Sequence, residues 1–153
     1  MTSIDRSALL PHSAEQLFDL VADIQRYPRF LKGCVAAEVL SQQAAQAQQP
    51  EIVTARLGLS RAGLSHSFVT RNTMMPHECI ELALVDGPFE YFEGQWAFKA
   101  LAPEACKVVL TLNFRLRSGL INAAAGRLFD RVALDLVDSV VVRAGAIYGK
   151  SHT

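Results

Sequence analysis

LINAAAGRLFDRVALDLVDSVVVRAGAIY, residues 120 to 148, contains no proline, and its apolar residues recur at helical spacing. Wound at about 100° per residue, it lays Ile121, Ala125, Leu128, Phe129, Val132, Ala133, Leu136, Val140, Ala144 and Ile147 on one broad stripe. Arg127, Asp130, Arg131, Asp135 and Asp138 gather opposite. At the helical rise this helix is about 43 Å long, enough to cross a small domain, so a surface equally wide must cover its apolar side. Ser118 can cap the start, Gly149 can stop the end, and Lys150 puts a cation near the negative pole of the dipole. Arg131 and Asp135 are spaced for an i,i+4 pair, which adds only a few tenths of a kcal/mol. Burial of the stripe therefore holds the helix. Arg143 falls within the stripe and Ser139 at its edge; each either reaches outward to water or offers a polar contact to whatever the helix covers.

Upstream, from Cys34 to Arg117, the period changes to two. In Lys107 to Arg117, Val108, Leu110, Leu112, Phe114 and Leu116 point one way and Lys107, Thr111, Asn113, Arg115 and Arg117 the other. Phe92, Trp96 and Phe98 repeat the alternation, as do Val53 to Leu59 and Ile80 to Leu84. Turns are expected at Arg61-Ala-Gly63, Met75-Pro-His77, Asp86-Gly-Pro88 and Ala102-Pro-Glu104, and SQQAAQAQQP (41 to 50) reads as a low-complexity loop. Before them, Ser3 to Leu10 has β character. Ser13-Ala-Glu-Gln16 has the form of a capping box opening a short helix that ends near Asp23, and Pro28 permits only a brief second turn. The order is strand, two short helices, six strands, long helix. It predicts an α+β helix-grip: a curved antiparallel sheet of about seven strands around the C-terminal helix, as one domain over 1–149 with a tail at 150–153. A curved sheet gripping a rod leaves a pocket between them.

Composition narrows the function. The chain has 153 residues, half of them hydrophobic, with 15 basic and 15 acidic side chains and zero formal net charge. Nothing in that balance asks for DNA or an anionic surface as partner. The opening MTSIDRSALLPHS lacks an apolar run of signal-peptide length, so the cytoplasm is the expected compartment. Cys34, Cys79 and Cys106 are too few and too scattered for a disulfide framework or zinc ribbon and are expected to be reduced and mostly buried. The histidines form no HExxH, and the chain holds no phosphate loop or nucleophile elbow. No catalytic residue, metal or required cofactor is expected. His66 and Thr70 share a strand face with Leu64 and Phe68, and period alone leaves open whether that face looks inward.

The segments YPRFLKGC (27 to 34), LVDGPFEYFEGQWAF (84 to 98) and LVDSVVVRAGAIYG (136 to 149), in this order, resemble the polyketide cyclase/dehydrase-like branch of the START superfamily. Within it they resemble the group of coenzyme Q-binding START proteins and bacterial ribosome-association toxins. The resemblance implies the helix-grip fold, a hydrophobic cavity, ubiquinone as ligand in the respiratory members and interference with ribosomal subunit joining in the toxin-named ones. Glu90 stands where many of those relatives carry a base. The expected function is non-catalytic binding of a hydrophobic ligand, ubiquinone or a related prenylated lipid, in support of respiratory electron transport, with transient membrane contact for exchange. The alternatives are binding to the large ribosomal subunit, for which Arg56, Arg61, Arg71, Arg115, Arg117 and Arg127 are the candidate basic contacts, and polyketide cyclisation. The expected ligand-binding residues are Tyr27, Pro28, Phe30, Phe89, Phe92, Trp96, Phe98, Leu112, Phe114, Leu128, Val132, Leu136, Ser139, Val140 and Arg143, the last with Ser139 as donors to a head group.

Overall fold

The computed structural model describes residues 2–61, 63–117 and 123–149. Strand β1 (Thr2–Leu10) is followed by helix α1 (Ala14–Ala22) and a 3-10 segment (Ile24–Arg29). Six strands come next: β2 (Cys34–Gln43), β3 (Glu51–Arg61), β4 (Leu64–Met75), β5 (Cys79–Asp86), β6 (Phe89–Ala102) and β7 (Ala105–Leu116). Helix α2 (Ala123–Tyr148) closes the chain. The strands form one seven-stranded sheet in the order β1-β7-β6-β5-β4-β3-β2, with every neighbouring pair antiparallel. This is the helix-grip of the START type. Only the β1 to β2 connection crosses the sheet, and it carries the two short helices.

Local chemistry accounts for the elements. The Ser13 hydroxyl accepts from the Gln16 backbone N–H at 3.0 Å, while the Gln16 side chain accepts from the Ser13 N–H at 3.0 Å, completing the expected capping box. Leu17, Leu20, Val21 and Ile24 are all buried. Along β7, Cys106, Val108, Leu110, Leu112 and Phe114 alternate inward and are 5% exposed or less. Register shifts in β2, β5 and β6 mark bulges, the device by which antiparallel sheets bend. On the sheet's inner face Leu82, Gly94 and Leu112 lie side by side. A Cβ on Gly94 would stand 2.7 Å from Leu112 Cδ1 and 3.2 Å from Leu82 Cδ1, so the two leucines fill the space a side chain would take.

Helix α2 buries Ala125, Leu128, Phe129, Val132, Ala133, Val140 and Ala144 as its periodicity requires, and Gly149 follows with φ +76°. Three expectations need correcting. Ile147 is exposed at the helix end, because the sheet no longer covers it, and Val137, outside the expected stripe, is buried. Asp135 pairs across to Arg61 of β3 at 4.0 Å rather than with Arg131. Strand β2 extends through Gln43, into the stretch read as loop, because its backbone pairs with Ile52 to Thr54 of β3. The cysteines match their expectation: all three are free, Cys34 and Cys106 are buried and Cys79 is partly so. Ser118, Ile121 and Lys150 lie outside the described residues.

Helix α2 packs closely on the backbone at Gly33, just before β2. Its φ of +87° favours glycine, and an added Cβ would meet Val132 Cγ2 at 2.8 Å. Gly33→Ala should therefore lower stability by about 1–3 kcal/mol through backbone strain, plus the clash. Adding Val132→Ala should recover the steric part only, a split that thermal melts of both variants can measure.

Candidate functional site

Between α2 and the sheet lies a cavity of about 100 Å³. The sheet supplies Ala55, Leu57 and Leu59 from β3, Phe68, Thr70 and Asn72 from β4, and Leu82 from β5. It continues with Phe89, Phe92 and Trp96 from β6 and Leu110, Leu112 and Phe114 from β7. The helix contributes Phe129, Val132, Ala133, Leu136 and Val140. Val21, Ile24, Tyr27, Phe30 and Leu31, from α1 and the chain after it, close the third side. Phe68, Phe89, Phe92, Phe114 and Phe129 gather around Phe89, whose ring centroid is 5.1 Å from those of Phe92 and Phe129, 5.5 Å from Phe68 and 5.8 Å from Phe114. Such tilted and edge-on contacts fix the rings against one another and give this end of the cavity a firm wall.

Ten of the fifteen residues expected at the site line the cavity: Tyr27, Phe30, Phe89, Phe92, Trp96, Leu112, Phe114, Val132, Leu136 and Val140. The other five do not. Pro28 is exposed on the outside of the 3-10 segment. Phe98 is buried against Phe18, ring centroids 5.7 Å apart, in the core beyond the cavity. Leu128 and Ser139 are buried, but at about 100° per residue they fall outside the arc formed by Phe129, Val132, Ala133, Leu136 and Val140, so they face its flank. Arg143 is within the arc but lies past Val140, the last helix residue in the wall, and its guanidinium stacks over the Phe30 ring at 5.4 Å. Neither Arg143 nor Ser139 belongs to the wall that a head group would touch.

The cavity is polar at few points. Apart from the indole of Trp96, the polar side chains in its wall are Tyr27, Thr70 and Asn72. The Tyr27 hydroxyl donates to the carbonyl of Val21. Burial pushes its phenol well above the ordinary value, with Cys34 and Asp23 acting in the same direction, so it stays neutral. Thr70 Oγ1 donates to Asn72 Oδ1 at 2.8 Å, and both residues are buried. Among the described residues, no Asp, Glu, Lys, Arg or His lines the cavity. The inward alternation of β4, open from sequence, is thus settled for Thr70; His66 is half-buried at the edge, 5.6 Å from the Phe129 ring. Asn72 was legible by carrying the period-two count from Phe68 and Thr70 two residues further. The contributions of β3 and of Val21, Ile24 and Leu31 had no local signal beyond their being apolar. Among the described residues, no group of three or more His, Cys, Asp or Glu is placed to hold a metal, and no helix is long and apolar enough to cross a membrane.

A family model described as polyketide cyclase / dehydrase and lipid transport matches residues 10–141. The chain belongs to this family. The ribosome association toxin RatA of Pseudomonas aeruginosa is 43% identical over 148 residues, covering 97% of this chain and 99% of that protein. The coenzyme Q-binding protein COQ10 homolog B of Xenopus laevis is 28% identical over 150 residues, covering 95% of this chain and 59% of that one. A START superfamily protein from Mycobacterium smegmatis overlays with a TM-score of 0.76 across 95% of this chain and 98% of its own, at 17% identity, a likeness of fold. Family and fold thus agree with the resemblance carried by residues 27 to 34, 84 to 98 and 136 to 149, and the relatives' names are those of a toxin and a quinone-binding protein.

The raised Tyr27 value has a measurable consequence. A phenol kept neutral in the fold contributes stability that is complete below its unfolded value of about 10 and is lost as pH rises from there through the folded value. Unfolding free energy should therefore fall above about pH 10. Tyr27→Phe should flatten that fall while costing roughly 1 kcal/mol at neutral pH, because the Val21 carbonyl loses its donor. Urea melts across the alkaline range would register both effects.

Proposed function

We propose that this protein is a non-catalytic binder of a hydrophobic small molecule, ubiquinone or a related prenylated lipid, which it holds between α2 and the sheet and exchanges at a membrane. The cavity carries this reading: it is walled by apolar and aromatic side chains, and among the described residues its wall holds no ionisable group except a neutral phenol. A prenyl chain suits it, since each buried CH₂ contributes about 0.8 kcal/mol without needing a polar partner. The printed name of the Xenopus relative points to coenzyme Q, and the family description includes lipid transport. Catalysis on a polyketide has the family description behind it and no set of acid, base and nucleophile in the cavity wall.

A second reading, association with the large ribosomal subunit, is favoured by the RatA relative, which is similar across nearly its whole length. Surface electrostatics support it weakly. Of the basic candidates, Arg56 pairs with Glu38 at 3.0 Å, Arg61 with Asp135 at 4.0 Å and Arg115 with Glu90 at 3.8 Å. These pairs take up cations that phosphates would otherwise draw on. Arg71, Arg117 and Arg127 are exposed.

Organic extraction of the purified protein followed by mass spectrometry should identify a prenylated quinone or related lipid. Leu136→Trp should abolish its recovery. That substitution fills space beside the cavity, so it should cost less than the roughly 1–3 kcal/mol typical of overpacking a closed core. An empty wild-type extract, together with co-sedimentation with large subunits on a sucrose gradient, would replace this reading with the ribosomal one.

A further inference from the structure

Resting on the cavity as the ligand site, we propose that Asn72, oriented by Thr70, reads the ligand, so that the cavity selects a neutral molecule with an apolar body and a carbonyl-type acceptor oxygen. Hydrocarbons and carboxylates of the same size are rejected. Asn72 is 6% exposed and Thr70 5%, at successive inward positions of β4. Their cross-strand neighbours on that face are Val53 and Leu82 for Asn72, and Ala55 and Leu84 for Thr70, none of which can accept a hydrogen bond through its side chain. Thr70 Oγ1 donates to Asn72 Oδ1, which occupies the amide oxygen and leaves the two Nδ2 donors. No buried side-chain nitrogen or oxygen among the described residues lacks a partner, so the donors not spent on Thr70 open onto the cavity. They lie in the row that continues through Leu82 and Gly94, at mid-sheet.

A donor in an apolar wall discriminates by what it loses. A ligand that offers an acceptor oxygen there satisfies it, whereas a hydrocarbon displaces any water and leaves it unpaired. Charge is excluded for a separate reason. A carboxylate entering the cavity would give up its hydration and meet no cation, because Arg143 is engaged over Phe30 outside the wall. Thr70 acts as a positioning residue: while its hydroxyl donates, the amide oxygen is turned away from the ligand. With the amide turned over, the same pair would present an acceptor, and ligands with hydroxyl donors would be preferred.

Four probes with an eight-carbon chain on a benzene ring, the first chain carbon being the carbonyl in the ketone, separate these cases: octanophenone, octylbenzene, 4-octylphenol and 4-octylbenzoate, titrated calorimetrically at pH 8 into lipid-stripped protein. The wild type should bind 4-octylbenzoate at least a hundredfold more weakly than octanophenone. In Thr70→Val/Asn72→Leu the ketone-to-hydrocarbon affinity ratio should fall roughly tenfold to a hundredfold, the loss expected for one buried hydrogen bond and its unpaired donor. Thr70→Val alone should move preference from ketone toward phenol, a change of specificity that a purely structural role would not produce. If the double variant melts too low to titrate, Thr70→Ala/Asn72→Ala is read in the same way, since it removes both the amide and the hydroxyl and otherwise only enlarges the cavity. An unchanged ketone-to-hydrocarbon ratio, with ketone binding still abolished by Leu136→Trp, would overturn the role of Asn72 and leave the cavity as the site. A wild-type preference for the phenol, or equal binding of the benzoate, would overturn it too. Failure of every probe to bind the wild type would remove the ligand site itself.

Discussion

The burial of one face of α2 against the concave face of the sheet is the contact on which the other features depend. A 26-residue helix has too little intrinsic stability to stand alone in this arrangement, and a sheet with one apolar face needs a cover. Each supplies what the other lacks. The fit is tight at particular points, with Gly33 against Val132 and the phenylalanine cluster around Phe89 and Phe129. Between those points a flexed sheet and a straight rod diverge, and the cavity is the space left over.

That space carries a cost. Unfilled apolar volume destabilises by about 24 cal/mol per Å³, so a cavity of about 100 Å³ costs on the order of 2 kcal/mol. Filling the cavity with larger side chains would recover it. The chain instead keeps Ala55 and Ala133 in the wall. A ligand that occupies the space returns this energy as affinity and binds only the folded state, so occupancy and stability are linked. The closure formed by Tyr27, Phe30 and Leu31 belongs to a short 3-10 segment and its continuation, held by the Tyr27 hydroxyl and by Arg143 stacked on Phe30.

Charge is kept outside. Arg56, Arg61 and Arg115 pair with acids on the surface, and each such exposed pair adds little to stability. Thr2 binds Asp130 at 2.9 Å, which ties β1 to α2 without bringing an ion inside. Among the described residues the buried polar side chains are His12, Thr70, Asn72 and Ser139, and of these Thr70 and Asn72 face the cavity. A small number of donors in an apolar chamber imposes specificity without the desolvation cost of a buried charge.

The amino-acid sequence determined the elements, their order and the inward faces of most of them, because period and capping are local properties. The helix stripe from Ala125 to Ala144, the alternation along β7, the capping box at Ser13 and the turns after β3, β4, β5 and β6 follow from neighbours a few residues apart. Eight of the ten expected cavity residues were legible for the same reason, since an aromatic or aliphatic side chain on an inward face of β6, β7 or α2 lies close to the space between them, while Tyr27 and Phe30 were read from the turn around Pro28. What the tertiary structure alone decided is where that space begins and ends. Leu128 and Ser139 are as buried as Val132, yet a difference in helix azimuth puts them outside the wall, and Arg143 ends beyond it because the cavity stops near Val140. The pairing of Thr70 with Asn72, and their exposure to the cavity, depend on β3 and β5 supplying only apolar neighbours across the strands, a relation between residues distant in the chain. Periodicity tells which way a side chain points; only the packed fold determines whether it meets a neighbour or an opening.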